Sequence, residues 1–423
     1  MVSVAKTSIR TAVTAGAASL ALVLSGCNGE AQTSGAAEVT TASAAVQEKV
    51  DAIVNDALTG AHATEAIVGV WLPDGTAYVR GYGEGVSAQT LVRAGQQTAP
   101  ATCALLLELA NDKLFGFDEK ITDKTPRQEP LLADTTYRQL CDGNSRFADY
   151  KGKLLPQVLN TPARPWSENE LLAESAAHSP VPHAGLDYHL SDTNAVLGLK
   201  LARTLSSQSS SELLETRIFK PANMHSTYYP ELKNATLPEQ SLTPLAYPGA
   251  PGAPSCDVEP QQLTEVSPSF LAGAGATITT VGDLKNFYTL LFDGHYGNQR
   301  LFAELNTPHS LANPKRDESG NITEEGPVAD PGQVPYSETA LAAEKIGPLY
   351  GRSSWLPGAV GATFHDPETN FTVSIQLNNS GVTDGYARET ALLLAAELGD
   401  AGVTVPWTAE VARERVNSMK VCQ

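Results

Sequence analysis

The stretch VGATFHDPETNFTVSIQLNN, residues 360–379, contains two apolar runs on either side of a polar turn. The runs at 360–366 and 371–379 are rich in β-branched and aromatic residues, and Pro367-Glu368-Thr369-Asn370 between them is a turn sequence. This pattern predicts a β-hairpin. An amphipathic segment at 386–398 predicts a helix directly after the hairpin.

A second hairpin is predicted near the other end of the chain. There AIVGVWL (66–72), the turn Pro73-Asp74-Gly75 and TAYVRGYG (76–83) follow a helical pattern at 46–58. Further helical patterns lie at 195–205, 212–219 and 282–292, and Thr279-Thr280 can cap the last of them. Strands at both ends with helices between them predict an α/β (α+β) fold, in which helices cover an antiparallel sheet and a mostly helical region is inserted.

The composition restricts the classes of function. With 42% hydrophobic and 18% charged residues over 423 positions, the chain can bury a large core. Asp and Glu outnumber Lys and Arg 47 to 29, which gives a net charge of −18. Because nucleic-acid affinity depends on Lys and Arg neutralising phosphates, nucleic acid is not expected as a partner.

The N-terminus has the order of an export signal. Lys6 and Arg10 precede an apolar run at 11–24, and Leu24-Ser25-Gly26-Cys27 follows. These small residues resemble a bacterial lipobox, which implies a signal peptide at 1–26, cleavage before Cys27 and a lipid on its sulfur. We therefore expect an extracytoplasmic lipoprotein, tethered to the cell membrane through a flexible linker at 27–47. An ordinary signal peptide with an incidental cysteine is the alternative.

Four cysteines remain beyond the signal, at 103, 141, 256 and 422. An even number outside the cytoplasm predicts two disulfides, whose pairing the sequence leaves open among three arrangements. Buried free thiols are the alternative.

Seven phrases in order carry a family resemblance over residues 48–400. They are GYGEGVSAQTLVRAG, ANDKLFGFDEKI, TYRQLCDGNSRFADY, YHLSDTNAVLGLKLA, RIFKPANMHSTYY, AGAGATITTVGDLKNFYTLL and WLPGAVGATFHDPETNFTVSIQLNNS. The chain resembles the superfamily of serine β-lactamases, D-alanyl-D-alanine carboxypeptidases and other penicillin-binding proteins, especially its class C and esterase-like branch. The resemblance implies one β-lactamase-like domain at 48–423, with an α/β part at 48–135 and 270–423 and a helical part at 136–269.

The first catalytic motif of that superfamily is S-x-x-K, in which a lysine activates a serine at the N-terminus of a helix. Aligned on Asp112-Lys113-Leu114, the nucleophile position falls on Gly95 and the lysine position on Thr98. Neither residue can perform the role that the motif assigns to it.

The second and third motifs are also altered. In YHLSDTN, Leu190 stands at the position of the motif's tyrosine and Asp192 at that of its asparagine, while Tyr188 lies two residues earlier. The alternative is that Leu190 packs and that Asp192 or Asp187 caps the next helix. In GRSSWLPG, Arg352 takes the Lys or His position, and Ser354 and Trp355 replace two glycines; Arg352 can bind a ligand carboxylate or pair with a local one.

These substitutions predict a pseudoenzyme. We expect Arg352, Ser353 and Asp192 to bind a peptidoglycan peptide or another small carboxylate in the former catalytic cleft. If Leu190 and Trp355 instead fill the cleft, the outer surface binds a protein partner. The alternative is a serine hydrolase with a relocated nucleophile at Ser145, Ser191 or Ser353, helped by His183 or His189 (capping or turn roles are the ordinary interpretation of these serines).

No cofactor or metal is expected. The densest histidine group is His178, His183 and His189 with Asp187, and its spacing matches no regular ligand pair.

Overall fold

A computed structural model describes residues 39–125, 132, 134–145, 147–178, 188, 190–311, 314–324 and 329–423. Its central element is a nine-stranded antiparallel sheet. In chain order the strands are β1 (Val39–Thr40), β2 (Ala66–Trp71), β3 (Ala77–Tyr82), β4 (His309–Ser310), β5 (Glu338–Ala340), β6 (Ala343–Ile346), β7 (Leu349–Leu356), β8 (Ala359–His365) and β9 (Thr372–Leu377).

The sheet joins the two ends of the chain. Its order is β1-β3-β2-β9-β8-β7-β6-β5-β4, so the two predicted hairpins meet along β2 and β9. The register places Val373 opposite Val70 and Ile375 opposite Val68. Four further two-stranded pairs are short, and one of them joins Val92–Arg93 to Ile278–Thr279.

Twelve α-helices accompany the sheet in the described part of the chain. They are α1 (Ala44–Ala61), α2 (Ala99–Asn111), α3 (Ile121–Lys124), α4 (Tyr137–Asp142), α5 (Lys151–Asn160), α6 (Glu168–Ala176), α7 (Asp192–Ser206), α8 (Ser210–Leu214), α9 (Val281–Phe292), α10 (Gln299–Leu305), α11 (Asp384–Glu397) and α12 (Ala409–Ser418). A 3₁₀ turn, Gly95–Thr98, leads directly into α2.

Both faces of the central strands are buried. Val68 and Val70 of β2 pack in one core with α1, α11 and α12, whereas the intervening Ile67 packs on the opposite face with Val281 of α9. Successive residues of a strand point to opposite faces, so a strand covered on both sides reads as a continuous apolar run. A separate core holds α2, α4, α7 and α9 together.

The structure confirms the predicted fold and corrects some boundaries. Both hairpins are present, and the side chain of Thr280 accepts a hydrogen bond from the Asp283 amide at the start of α9. The predicted linker extends too far, because Val39 already pairs with Val79 and α1 begins at Ala44. The helices of the predicted helical part end by residue 219, and beyond it lie four short strands and a 3₁₀ turn at Pro268–Phe270.

Two disulfides are present, Cys103–Cys141 and Cys256–Cys422. The first joins α2 to α4, and the second joins a loop to the C-terminus. The buried-thiol alternative is therefore wrong. Cys27 lies outside the described residues, among which no helix is long and apolar enough to span a membrane.

Candidate functional site

The segment before α2 has no room for a nucleophile at the expected position. Gly95 has φ +55°, a left-handed conformation that side chains disfavour. A Cβ atom added to Gly95 would lie 2.7 Å from the Cβ of Ser354 and 3.1 Å from Cδ2 of Leu356. Because Gly95 has no side chain, its backbone can lie directly against β7.

The space beside this turn is occupied by hydrogen-bonded amides. The Nε2 of Gln97 donates to Ser354 Oγ at 3.0 Å, and its Oε1 accepts from Thr363 Oγ1 at 2.7 Å and from Gln376 Nε2 at 2.8 Å. Thr98, at the lysine position, donates through Oγ1 to the Gly95 carbonyl at 3.1 Å. All these groups are buried, and the network fixes the turn against the sheet.

Asp192 is the centre of a buried charge cluster. It is 1% exposed, and its carboxylate accepts from Gln96 Nε2 at 2.8 Å, lies 2.8 Å from Lys151 Nζ and accepts from Arg352 Nη2 at 3.3 Å. Asp192 is the first residue of α7 and does not cap it, and Asp187, the other capping candidate, lies outside the described residues. Burial alone would raise the pKa of Asp192, but Lys151 and Arg352 outweigh burial and lower it.

Lys151 is a cation in this cluster and not a base. Burial disfavours its charged form, yet the carboxylates of Asp192 and Asp149 raise its pKa above the ordinary value. A lysine that stays protonated cannot accept the proton of a serine hydroxyl. Lys151 therefore does not replace the lysine missing at Thr98.

Arg352 is engaged by the protein itself. Its Nη1 donates to the Ala342 carbonyl at 2.5 Å, and its Nη2 donates to Asp192. The side chain is 7% exposed. Arg352 thus pairs with a local carboxylate, as the alternative interpretation proposed, and two of its guanidinium nitrogens already donate hydrogen bonds within the protein.

An open cavity of about 270 Å³ lies beside the cluster. Its apolar wall is formed by Leu155, Leu190, Pro251, Phe270 and Trp355. Its polar wall is formed by Gln96, Lys151, Glu344, Arg352, Ser353 and Asp384. Leu190 and Trp355 line the cavity without filling it, and the Nε1 of Trp355 is directed to the Ser380 carbonyl at 3.0 Å.

Ser353 lies between two carboxylates on the polar wall. Its Oγ is 3.0 Å from Oδ2 of Asp384, the first residue of α11, and 3.3 Å from Oε1 of Glu344. The other oxygen of Glu344 accepts from Arg388 Nη1 at 3.3 Å. Among the described residues, no lysine or histidine contacts Ser353.

Ser145 and Ser191 are buried, as is Ser353 at 3% exposure, but unlike Ser353 they do not line the cavity. Ser145 is 0% exposed and donates to Asn194 Oδ1. Ser191 is 6% exposed, and its hydroxyl has no hydrogen-bond partner. His183 and His189, the proposed helpers, lie outside the described residues.

The predicted site residues are thus only partly brought together. Leu190, Arg352 and Ser353 line the cavity, whereas Asp192 lies behind its wall, bound to Lys151, and Gly95, Thr98 and Ser354 are buried beneath it. Tyr188 is stacked on His309, with 4.6 Å between the ring centroids.

Four polar residues of the site were not predicted from the sequence: the charged Lys151, Glu344 and Asp384, and the neutral Gln96, which donates to Asp192. The one available signal was a pair of glutamines, Gln96 and Gln97, at the start of an otherwise apolar helix. Within the described ranges, no three His, Cys, Asp or Glu side chains are grouped to hold a metal ion.

The sequence model of the family described as Beta-lactamase matches residues 50–397. The chain belongs to the beta-lactamase family. Solved structures of this fold superpose on most of the chain. A D-stereospecific amidohydrolase from Streptomyces sp. is 19% identical with a TM-score of 0.63, and the match covers 78% of this chain and 94% of that one.

Two further structures of this beta-lactamase fold are similar. D-amino acid amidase from Ochrobactrum anthropi SV3, in complex with L-phenylalanine amide, is 18% identical with a TM-score of 0.63, covering 89% of this chain and 97% of that one. The octameric penicillin-binding protein homologue from Pyrococcus abyssi is 15% identical with a TM-score of 0.65, covering 87% and 80%. At these identities the likeness extends to the fold alone.

Proposed function

We propose that this beta-lactamase-family chain is a catalytically inactive binding protein that holds a small molecule non-covalently in its cleft. The observation that carries the proposal is Gly95, which leaves neither a hydroxyl nor space for one at the nucleophile position, beside a cavity of about 270 Å³. A cavity of this kind, with an apolar wall and a few polar groups, suits a small ligand.

The surrounding groups support inactivity. A nucleophilic serine needs a base within hydrogen-bonding reach, and loss of the nucleophile costs serine hydrolases about six orders of magnitude in rate. Here Thr98 replaces the base, Leu190 replaces the relay hydroxyl, and Lys151 is held protonated by Asp192 and Asp149.

The solved structures support a ligand of amino-acid size. The amidase from Ochrobactrum anthropi was solved with L-phenylalanine amide and with D-phenylalanine. A small peptide or amino-acid derivative, such as a fragment of peptidoglycan, is the ligand class that we propose here. The Asp192 contact of Arg352 argues against recognition through a ligand carboxylate at that residue.

The proposal is tested by the intact mass of the purified chain after incubation with a penicillin and, separately, with a fluorophosphonate. Both reagents attach covalently to an activated serine, and we expect an unchanged mass with each. A stoichiometric adduct would overturn the proposal, and peptide mapping would identify the nucleophile.

A relocated nucleophile is the second candidate function, and one observation favours a position for it. Ser353 is the one member of the predicted trio Ser145, Ser191 and Ser353 that lines the cavity. A Ser353→Ala chain would lose an adduct formed there, whereas Ser145→Ala would retain it.

A further inference from the structure

The polar wall of the cavity carries one carboxylate without a matching cation. Glu389 is paired with Arg415 at 2.8 Å, and Glu344 is paired with Arg388 at 3.3 Å. No Lys, Arg or His nitrogen of the described residues lies within ion-pair distance of Asp384. Burial alone would lower the pKa of Arg388, but the carboxylates of Glu344, Glu389 and Asp384 together raise it. Around Arg388 the carboxylates therefore outnumber the cations.

Lys151 and Arg352, the two cations that line the cavity, do not offset the charge of Asp384. Lys151 and Arg352 both contact Asp192, which is 1% exposed and lies behind the wall. Asp149, 3.4 Å from Lys151, adds a further carboxylate on that side. Burial raises the pKa of Asp149, so Asp192 is the main counter-charge of Lys151 and Arg352, and these two cations are held by it rather than by Asp384 or Glu344.

At Ser353 a single hydroxyl proton is shared by two carboxylates, of which Asp384 is partly exposed and Glu344 buried. The hydroxyl of Ser353 has one proton, yet it lies within bonding distance of both Asp384 Oδ2 and Glu344 Oε1. Glu344 is 2% exposed, so bulk water does not supply the missing donor freely. A buried acceptor left without a donor carries an energetic cost, which a ligand bringing several N–H groups would remove.

The wall opposite the polar groups is apolar. Phe270, Trp355 and Leu155 line this wall, and the volume of the cavity is about 270 Å³. The space suits a single ring or a branched aliphatic group attached to a polar head.

We propose that the cleft selects ligands with a protonated amine next to a compact apolar group, the ammonium binding between Asp384 and Glu344 beside Ser353. The inference rests on the proposed function, because it names the ligand class of the same cavity. It reverses the charge of recognition expected from the sequence, where Arg352 was to bind a carboxylate. An ammonium supplies three donors, which meets both the charge surplus and the donor deficit.

The test uses three probes that share a phenyl ring and differ in the charge of the head: 2-phenylethylamine, 2-phenylethanol and 3-phenylpropanoate. Each is titrated calorimetrically into the purified full chain at neutral pH. We expect the amine to bind at least about tenfold more tightly than the alcohol, because the ammonium pairs its charge with the carboxylates and brings three donors, whereas the alcohol is neutral and brings one. The propanoate should bind most weakly.

Two variants locate the effect. Asp384→Asn should lower the affinity for the amine about tenfold and leave that for the alcohol unchanged. Glu410→Gln is the matched control, since Glu410 is also a first-turn carboxylate but is exposed on α12 and does not line the cavity. The comparison of the three probes uses the wild-type chain, so it tests the ammonium site even if Asp384→Asn folds poorly.

The outcomes separate the two claims. Equal binding of the three probes, or preference for the propanoate, would overturn the ammonium site and leave non-covalent binding in the cleft standing. Absence of binding by any probe at millimolar concentration would overturn both. An amine preference together with a covalent penicillin adduct would retain the ligand class and overturn the inactivity.

Discussion

At Gly95 the backbone and its neighbours, as well as the missing side chain, exclude a nucleophile. The residue combines a positive φ with direct contact to β7, and Gly275 approaches so closely that a Cβ there would lie 2.2 Å from the Gly95 carbonyl carbon. Substituting Ser and Lys at positions 95 and 98 would therefore not by itself restore the motif, because the backbone conformation and the neighbouring contacts would also have to change.

We predict that Gly95→Ser lowers the free energy of unfolding by about 2–5 kcal/mol, combining ~1–2 kcal/mol for the left-handed backbone with ~1–3 kcal/mol for overpacking. The double variant Gly95→Ser, Thr98→Lys should form no penicillin adduct. Urea denaturation and intact mass measure the two effects.

Gly85→Ser is the matched control for this prediction. Gly85 has φ +74° but no atom within 4 Å of an added Cβ, so it should show the backbone cost alone. Equal destabilisation by the two substitutions would mean that the contact with Ser354 does not matter.

Asp192 is predicted to stabilise the fold through its buried contacts. Asp192→Asn leaves Lys151 and Arg352 without their shared counter-charge, which typically costs about 3–5 kcal/mol. Since the folded-state pKa of Asp192 is lowered, its contribution is present above the unfolded carboxyl pKa of about 4 and is lost as the pH falls through the lower folded value.

The melting temperatures of the wild type and Asp192→Asn should therefore differ most near neutral pH and converge as the pH falls below about 4. Asp118→Asn is the control, because Asp118 also pairs with an arginine, Arg138, but its side chain is 78% exposed. That change should cost at most about 1 kcal/mol. A difference for Asp192→Asn that is the same at every pH would contradict the prediction.

At the level of single residues, the sequence could show which catalytic motif residues are missing, but not which contacts the residues of the site make instead. Gly95, Thr98 and Leu190 were identifiable because a motif fixes where Ser, Lys and Tyr should stand. The partners Gln96, Lys151, Asp192 and Arg352 come from four distant segments, and only the folded chain brings them together.

At the level of elements, strong local patterns were predictable and weak ones were not. Both hairpins combine apolar strands with a recognisable turn, so the structure reproduces them to within about two residues. β1 has only two residues, and the start of α1 consists of alanines, so that segment was mistaken for a linker. Its pairing with β3 is tertiary information that no local pattern contains.

The two disulfides should differ in their resistance to reduction. Cys256 is exposed and Cys422 partly exposed, whereas Cys103 and Cys141 are 3% and 0% exposed. Because thiol exchange requires access to the sulfur, mild thiol reductant under native conditions should open the Cys256–Cys422 bond and leave Cys103–Cys141 intact.

The measurement is peptide mapping after alkylation, on a Cys27→Ser chain to remove the fifth cysteine. Alkylation at 256 and 422 alone is expected, with all four sites modified when the same reduction is done in guanidinium. Modification of Cys103 under native conditions would show that α2 and α4 separate readily.

At the level of the whole molecule, we propose that the protein is held at the outer face of the cell membrane through a lipid on Cys27. The sequence before Cys27 supports this proposal, and acyl anchoring does not need a spanning helix. Cys27→Ser should move the protein from the membrane fraction to the soluble extracytoplasmic fraction. Cys256→Ser, as the control, should leave it with the membranes, and retention of Cys27→Ser in the membrane fraction would contradict the anchor.

Under the proposed anchor at Cys27, mechanical load would reach the domain from its N-terminal side, where β1 at the sheet edge is the first described element. Val39 and Thr40 pair with Val79 and Tyr78, and the amides of Thr41 and Ala42 donate to the Ala77 carbonyl, so few hydrogen bonds hold this segment to the sheet. The next element in line, α1, packs in the core with α11 and α12. We expect β1 to detach from the sheet under small forces and to re-form afterwards. The cavity, on the distant strands β6 and β7, would keep its shape.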